Sequence, residues 1–352
     1  MNMPGIVGSG VYLPYYRIKL SDIAEAWNRN IKIAGEKTVP APDETPLTMG
    51  RNAADNAISH AGIPSEDIGA VYFCSNSSMI EGSYAQDIAI AIGTKPSVTI
   101  ADLHGSPRSF TIAVQMCLDA INSKRIEYGL VVGADILVGG LGTSAGDAGS
   151  EYVSAAGAGA IILGNKEIIA EFEAIASYMT GIKERWRSFE DKFPRLGDGR
   201  FIRDKGYINH VIQAGKSLLS KINCEISEIN HVILQQPHAQ WVRRALGKLG
   251  IPRDQIKARL AAPGIHINKF GDLGAACLPV ALTEVLEKGQ PGEKILTISY
   301  GAGGSDAISW NIKDPVNTKR SQAVSIEKFL KHKEYVNYTT HLKYNKVISQ
   351  FV

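Results

Sequence analysis

The chain has 352 residues, 44% of them hydrophobic and 21% charged, enough to bury one large or two medium cores. A formal net charge of +3 leaves no electrostatic footprint for nucleic acid or an anionic membrane, and no apolar run reaches the roughly 18 residues of a spanning helix. Cys74, Cys117, Cys224 and Cys277 stand far apart without a C-x-x-C, which predicts reduced thiols, no disulfide and no metal. The opening Met-Asn-Met-Pro-Gly lacks a charged-then-apolar leader, so a cytoplasmic location is expected.

Along the chain, Thr45 reads as an N-cap before Pro46 at the first helical position, and Gly62 as the C-cap of the helix that follows. Ala53 to Val71 then gives helix, turn and strand. Val98 to Ala113 reads as a strand running into a helix, with apolar spacing that predicts the helix over Phe110 to Lys124. A strand from Leu130 to Asp135 follows. The second half repeats this order. Ala214 to Val232 matches Ala53 to Val71 in pattern, and Ala275 to Lys288 leads into a predicted strand from Ile295 to Gly301. Two similar halves of alternating strands and helices, residues 1–165 and 166–352, imply an α/β fold with mostly parallel sheets covered by helices. Gly301-Ala-Gly-Gly lacks the Lys-Ser/Thr ending of a phosphate loop and reads as a tight turn near a cleft.

Ala101, Asp102, Leu103 and Thr111 resemble the approach to the catalytic cysteine in 3-hydroxy-3-methylglutaryl-CoA synthases of the archaeal and bacterial type, members of the thiolase superfamily. Blocks at Gly35 to Glu44, Glu151 to Ala160, Gly199 to His210, Ser299 to Asp306 and Ile326 to Tyr338 extend the resemblance over nearly the whole chain. It implies a thiolase-like αβαβα five-layer fold made of two pseudo-symmetric halves, with the active site between them. Enzymes of this family attack an acyl-CoA with a cysteine thiolate at a helix N-terminus, aided by a glutamate, a histidine and an asparagine.

In the register of that resemblance the cysteine falls on Pro107, which has neither a sulfur nor a backbone N–H for an oxyanion hole. The histidine falls on Gln235, which cannot carry a proton near neutral pH. The asparagine falls on Asp272, whose ionised carboxylate would repel a developing oxyanion, and the glutamate on Ser75, with Glu81 close by. Substitutes are few. Ser106 with His104 or His238 as base would make a nucleophile, but Ser106 reads better as a helix cap, and His238 as a partly exposed histidine beyond a strand end. Gln240 stands where archaeal relatives tend to carry a lysine near the CoA, leaving Arg243 and Arg244 as the candidate CoA contacts. Cys117 and Cys277 read as core fillers, and His60, His210, His231 and His266 as scattered surface histidines. The lysines Lys328, Lys331, Lys333, Lys343 and Lys346 read either as a solvated amphipathic tail or as contacts to a partner or CoA phosphates.

The resemblance therefore implies a catalytically degenerate synthase-like subunit, a scaffold or regulatory component of a thiolase or acyltransferase complex acting on acyl-CoA thioesters. Its expected assembly is a homodimer joined by a thiolase-type enzyme and a small zinc-ribbon/OB-fold acyl-CoA-binding protein. It expects no tightly bound cofactor, with coenzyme A or an acyl-CoA as the ligand. The alternative is an acyl-CoA-dependent acyltransferase, or a hydrolase, with rebuilt non-cysteine chemistry; a third reading is a simple acyl-CoA sensor.

Overall fold

The computed structural model describes residues 3–30, 32–77, 81–139, 148–188, 190–191, 193–256 and 266–348. The first half supplies β1 (Gly5–Tyr12), β2 (Tyr16–Lys19), β3 (Glu36–Val39), β4 (Ile68–Ser75), β5 (Thr99–His104), β6 (Tyr128–Ile136) and β7 (Ala156–Gly164). The second supplies β8 (Ala170–Met179), the two-residue β9 (Arg185–Trp186) and β10 (Arg195–Leu196), β11 (His231–Leu234), β12 (Lys294–Ile298), β13 (Gly304–Ile312) and β14 (Glu334–Tyr335). The principal helices are α1 (Leu20–Ala26), α2 (Pro46–Ala61), α3 (Tyr84–Ile92), α4 (Ser109–Asn122), α5 (Ala148–Val153), α6 (Asn209–Lys221), α7 (Ala239–Leu249), α8 (Cys277–Lys288), α9 (Ile326–Lys331) and α10 (Tyr338–Tyr344).

The repeat read from the sequence is present in space. α2 and β4 are linked by one 3₁₀ turn, Ser65–Asp67, and α6 and β11 by another, Ile226–Glu228. α2 begins as its sequence dictates: the Thr45 hydroxyl accepts from the Thr48 N–H, the Thr48 hydroxyl accepts from the Thr45 N–H, and Gly62 closes the helix at φ 67°.

Nine strands form one sheet in the order β11-β12-β13-β8-β1-β7-β6-β4-β5, the half-sheets meeting where Gly5 and Ile6 pair with Glu171 and Ala170. Side chains alternate across it, so each half-sheet needs cover on both faces. Between the halves, Phe110, Val114 and Leu118 of α4 and Leu278, Leu282 and Leu286 of α8 join Tyr72 and Val131 on one side to Ile295 and Trp310 on the other. On the outside, α2 and α3 cover Phe73 and Val132, while α6 and α7 cover Val232 and Leu296. The layers are thus αβαβα. Every residue from Cys277 to Leu286 is buried, as the middle layer demands, and each large apolar side chain there contributes roughly 1.5–3 kcal/mol. Small residues make the close packing possible: a Cβ at Gly10 of β1 would lie 2.3 Å from the Ala53 carbonyl oxygen of α2.

Two expectations need correction. The sheet is mixed rather than mostly parallel: β4–β5, β4–β6 and β11–β12 are parallel, whereas β6–β7, β1–β7, β1–β8, β8–β13 and β12–β13 are antiparallel. The turn after Ile298 is too short for a crossover and sends β13 straight back along β12, so the predicted strand ends at Ile298 instead of Gly301. Of the C-terminal lysines, Lys328, Lys331, Lys343 and Lys346 are exposed, as a solvated amphipathic segment requires, and Lys333 is half-buried. β14 pairs in parallel with β2 in a three-stranded sheet, and Lys333 and the Tyr335 hydroxyl both hold Glu36. The 165/166 boundary falls in the turn between β7 and β8, while this last segment packs back onto the first half.

Candidate functional site

A cleft of about 1650 Å³ opens between the halves, walled by residues beyond the ends of β5, β11 and β12. At its floor the chain leaves β5 through Gly105, Ser106 and Pro107. The Ser106 hydroxyl accepts from the Arg108 N–H at 3.2 Å and its carbonyl from the Ser109 N–H at 3.0 Å, so α4 starts at Ser109, two residues later than a proline at the first helical position would place it. Ser106 therefore serves the turn that precedes the helix, and its side chain is not among those lining the cleft. Pro107 does line it. A Cβ at Gly301, across the floor, would stand 2.7 Å from Pro107 Cδ and 2.6 Å from Ser106 Oγ, which is why the turn after β12 carries glycine there. Arg108, next in sequence, donates through Nε (3.0 Å) and Nη2 (2.7 Å) to the two oxygens of Asp306.

Ser75 ends β4 but does not face the cleft. Its hydroxyl donates to Asp135 Oδ1 at 2.7 Å, an oxygen that also accepts from the N–H groups of Asn76 and Ser77 and from the Ser77 hydroxyl. Asp135 Oδ2 accepts from the Ala275 N–H at 2.7 Å, so this fully buried carboxylate ties the end of β6 to the run leading into α8. Burial pushes its pKa up, and the surrounding donors oppose that shift. Glu81 is exposed and does not line the cleft.

Four polar groups of the cleft wall are unspent. Asp272 Oδ1 accepts from the Gly274 N–H at 3.0 Å, and Oδ2 has no protein partner among the described residues. Burial raises this carboxyl to about 6, against the opposing pull of the Gly274 N–H and Arg185 and with a further push from Asp135. The ionised anion expected from the sequence is therefore half neutral near pH 6. Gln235 donates Nε2 to the Gly274 carbonyl at 2.9 Å, which fixes its amide orientation and leaves Oε1 buried without a donor. Tyr300 Oη is likewise buried and unpartnered, with its ionisation pushed up by burial and by Glu184. The guanidinium of Arg185, on β9, makes no hydrogen bond or ion pair among the described residues; burial lowers its pKa, and the charges of Asp272 and Asp135 oppose that. All four side chains line the cleft.

His104 lines the cleft as an exposed side chain. So does His238, where it caps α7: Nδ1 accepts from the Gln240 N–H at 3.2 Å and the ring stacks on Trp241. Arg243 reaches the cleft, and Arg244, one residue round the helix, instead adds its charge near Asp204. All four cysteines are buried and none lines the cleft; burial pushes the thiols of Cys74, Cys117 and Cys277 up, away from thiolate. His60 and His210 are not surface histidines. His60 meets Ser9, and His210 bonds Thr180 and the Gly206 carbonyl, both rings being fully enclosed. His231 pairs with Glu293 at 2.7 Å, and the side chain of His266 lies outside the described residues. Among the described residues no three potential ligands gather as a metal site, and no helix is long and apolar enough to cross a membrane.

Sequence reasoning passed over Asp135, Arg185, Tyr300 and Lys37. An aspartate closing an apolar strand was a signal for the first, and the basic-aromatic run Lys183-Glu-Arg-Trp-Arg187 for the second. Lys37 is enclosed beneath α5, where its ammonium donates to the carbonyls of Glu151 and, at 2.9 Å, Ser154; burial lowers it to about 7. Nothing in a linear reading distinguishes it from a surface lysine.

Residues 219–311 match the family described as the C-terminal part of 3-oxoacyl-[acyl-carrier-protein] synthase III. The hydroxymethylglutaryl-CoA synthase of Methanocaldococcus jannaschii is 38% identical over 98% of this chain and 99% of its own. The fold is similar to that of MvaS in complex with 3-hydroxy-3-methylglutaryl coenzyme A, with a TM-score of 0.86 at 16% identity over 98% of this chain and 92% of that one. It is also similar to that of an HMG-CoA synthase complexed with CoA, with a TM-score of 0.84 at 17% identity over 97% and 90%. The near-full-length identity carries the assignment: the chain belongs to the hydroxymethylglutaryl-CoA synthase family.

Proposed function

We propose that this chain is a catalytically degenerate member of its family, a cytoplasmic homodimeric subunit that binds an acyl-CoA thioester without becoming acylated. In this reading it positions a thiolase-type enzyme and a zinc-ribbon/OB-fold acyl-CoA-binding protein. The observation that carries it is Pro107, an imino acid on the cleft floor at the start of α4, with no thiol anywhere on the cleft wall. Losing the nucleophile removes the covalent route, and losing one oxyanion donor alone costs about 2.7–4 kcal/mol of transition-state stabilisation. The ligand class rests on kinship: relatives named hydroxymethylglutaryl-CoA synthase, and similar folds that hold CoA or its hydroxymethylglutaryl thioester. Arg243 and Arg187 are the cations at hand for its phosphates, with Arg244 further from the cleft.

The homodimer is supported by β5, the outermost strand of the nine, which among the described residues pairs with β4 alone and leaves its other edge open. Ile90 of α3 and Ile112 and Met116 of α4 are exposed on helices that pack against β5 from opposite faces of the sheet. A second copy related by a two-fold axis would continue the sheet and cover them. Native mass spectrometry of the assembly from its own host tests the whole reading. Recovery with a thiolase-type protein and an OB-fold protein is the expected result, and an isolated chain contradicts it. Arginines at Ile112 and Met116 are expected to yield monomers.

A further inference from the structure

Loss of the thiol does not leave the cleft floor inert. Asp272 Oδ2, the Arg185 guanidinium, Tyr300 Oη and Gln235 Oε1 all line one cavity, and none has a protein partner among the described residues. Gln235 Oε1 and Tyr300 Oη are buried, and a buried polar atom left unmade costs about 1–3 kcal/mol; with the half-buried Asp272 and Arg185 on the same cleft wall, they point to a ligand that completes them. Their chemistry is complementary. A carboxyl oxygen is a base, a guanidinium and a phenol are donors to an oxyanion, and a fixed amide oxygen accepts from an N–H or O–H of the ligand.

We propose that Asp272, with Arg185 and Tyr300, makes this floor a carbon-acid proton-transfer site that enolises an acyl-CoA thioester without any covalent intermediate. Asp272 Oδ2 takes a proton from the carbon beside the thioester carbonyl. The C–H electron pair becomes the second bond between that carbon and the carbonyl carbon, and the carbonyl π pair moves onto oxygen. Tyr300 Oη and Arg185 donate to the oxygen that becomes negative. Return of a proton from Asp272 to carbon restores the thioester, so the step balances with no co-reactant. The site suits the task because the other two carboxylates nearby are committed: Asp135 to four groups through one oxygen and a fifth through the other, and Glu184, on the cleft wall, to the N–H groups of Ala302 and Gly303, one through each oxygen. Of these three carboxylates, Asp272 alone has an oxygen without a hydrogen bond among the described residues. Burial keeps that carboxyl from being a fixed anion, so it both accepts and returns protons near neutral pH.

The inference rests on the reading that the cleft takes an acyl-CoA thioester, and the test separates the two. Acetyl-CoA is incubated with the full chain in deuterated buffer and its methyl protons followed by NMR, with binding measured in parallel by calorimetry. Deuterium entering the methyl group faster than in buffer alone is expected, and Asp272→Asn should slow it at least about 100-fold. Thermal unfolding of that near-isosteric variant confirms that it is folded. Binding without exchange, or exchange unaffected by D272N, overturns the proton-transfer assignment and leaves the ligand reading standing. No binding removes both.

Discussion

Arg108 and Asp306 form a two-pronged ion pair, 3.0 and 2.7 Å, that joins the start of α4 in the first half to β13 in the second. Thr111 adds a hydrogen bond to the same carboxylate at 2.8 Å. Burial alone would push Asp306 up, yet its partners hold it below the usual carboxylate value. This pair fixes the turn that carries Pro107 against Gly301, and so sets the shape of the cleft floor.

Arg108→Ala leaves the buried carboxylate without its cation and is expected to lower stability by about 3 kcal/mol, read as a fall in the midpoint of chemical unfolding. The sign with pH follows from the depressed carboxyl. The wild-type advantage is full above the unfolded value near 4 and is lost as pH falls through the lower folded value.

Pro107→Cys places a thiol before α4 on the cleft. It is expected to be alkylated by iodoacetamide while the four buried native thiols are spared, and to accept an acetyl group from acetyl-CoA, both read by intact mass. Condensation to hydroxymethylglutaryl-CoA should stay at the uncatalysed level in chromatographic assays, because Gln235 has no titratable proton to deliver.

Asp272→Asn removes a carboxyl whose folded pKa is raised to about 6 from 3.8. A raised carboxyl binds more protons folded than unfolded, so its contribution is complete below about pH 4 and is lost as pH rises through about 6. The variant should gain on the order of 2 kcal/mol over wild type at pH 8 and nothing at pH 4, measured by urea unfolding at both values.

His341 of α10 is enclosed, and burial with the charge of Lys37 lowers it to about 2. Only the unfolded chain binds its proton below 6.5, so stability should fall by about 1.4 kcal/mol per pH unit below that point. His341→Gln, which keeps a polar group near Asn345, is expected to flatten that slope in unfolding curves between pH 4 and 6.5.

The helix–turn–strand repeat was legible because periodicity and caps are local: Thr45, Pro46 and Gly62 mark α2 without reference to the rest of the chain, whereas the five layers were implied by the family resemblance. Strand direction was not, since the pairing of β12 with β13 depends on a turn geometry that Gly301-Ala-Gly-Gly hints at without fixing its length. The same limit divides the site. Pro107, Gln235 and Asp272 came from position along the chain and do share the cleft, whereas Ser75 sits on the far side of its strand end, bonded to Asp135. Tyr300 carries no local mark, and the basic-aromatic run around Arg185 does not say which of its cations reaches the cleft. Both residues belong to the site only because a two-residue ribbon and the turn after β12 fold over the floor.

The central claim is that the chain handles acyl thioesters without forming a bond to them. The most direct measurement is the intact mass of the purified full chain after incubation with acetyl-CoA and rapid acid quench. An unchanged mass is predicted; a chain heavier by one acetyl group on any side chain of the cleft contradicts the account.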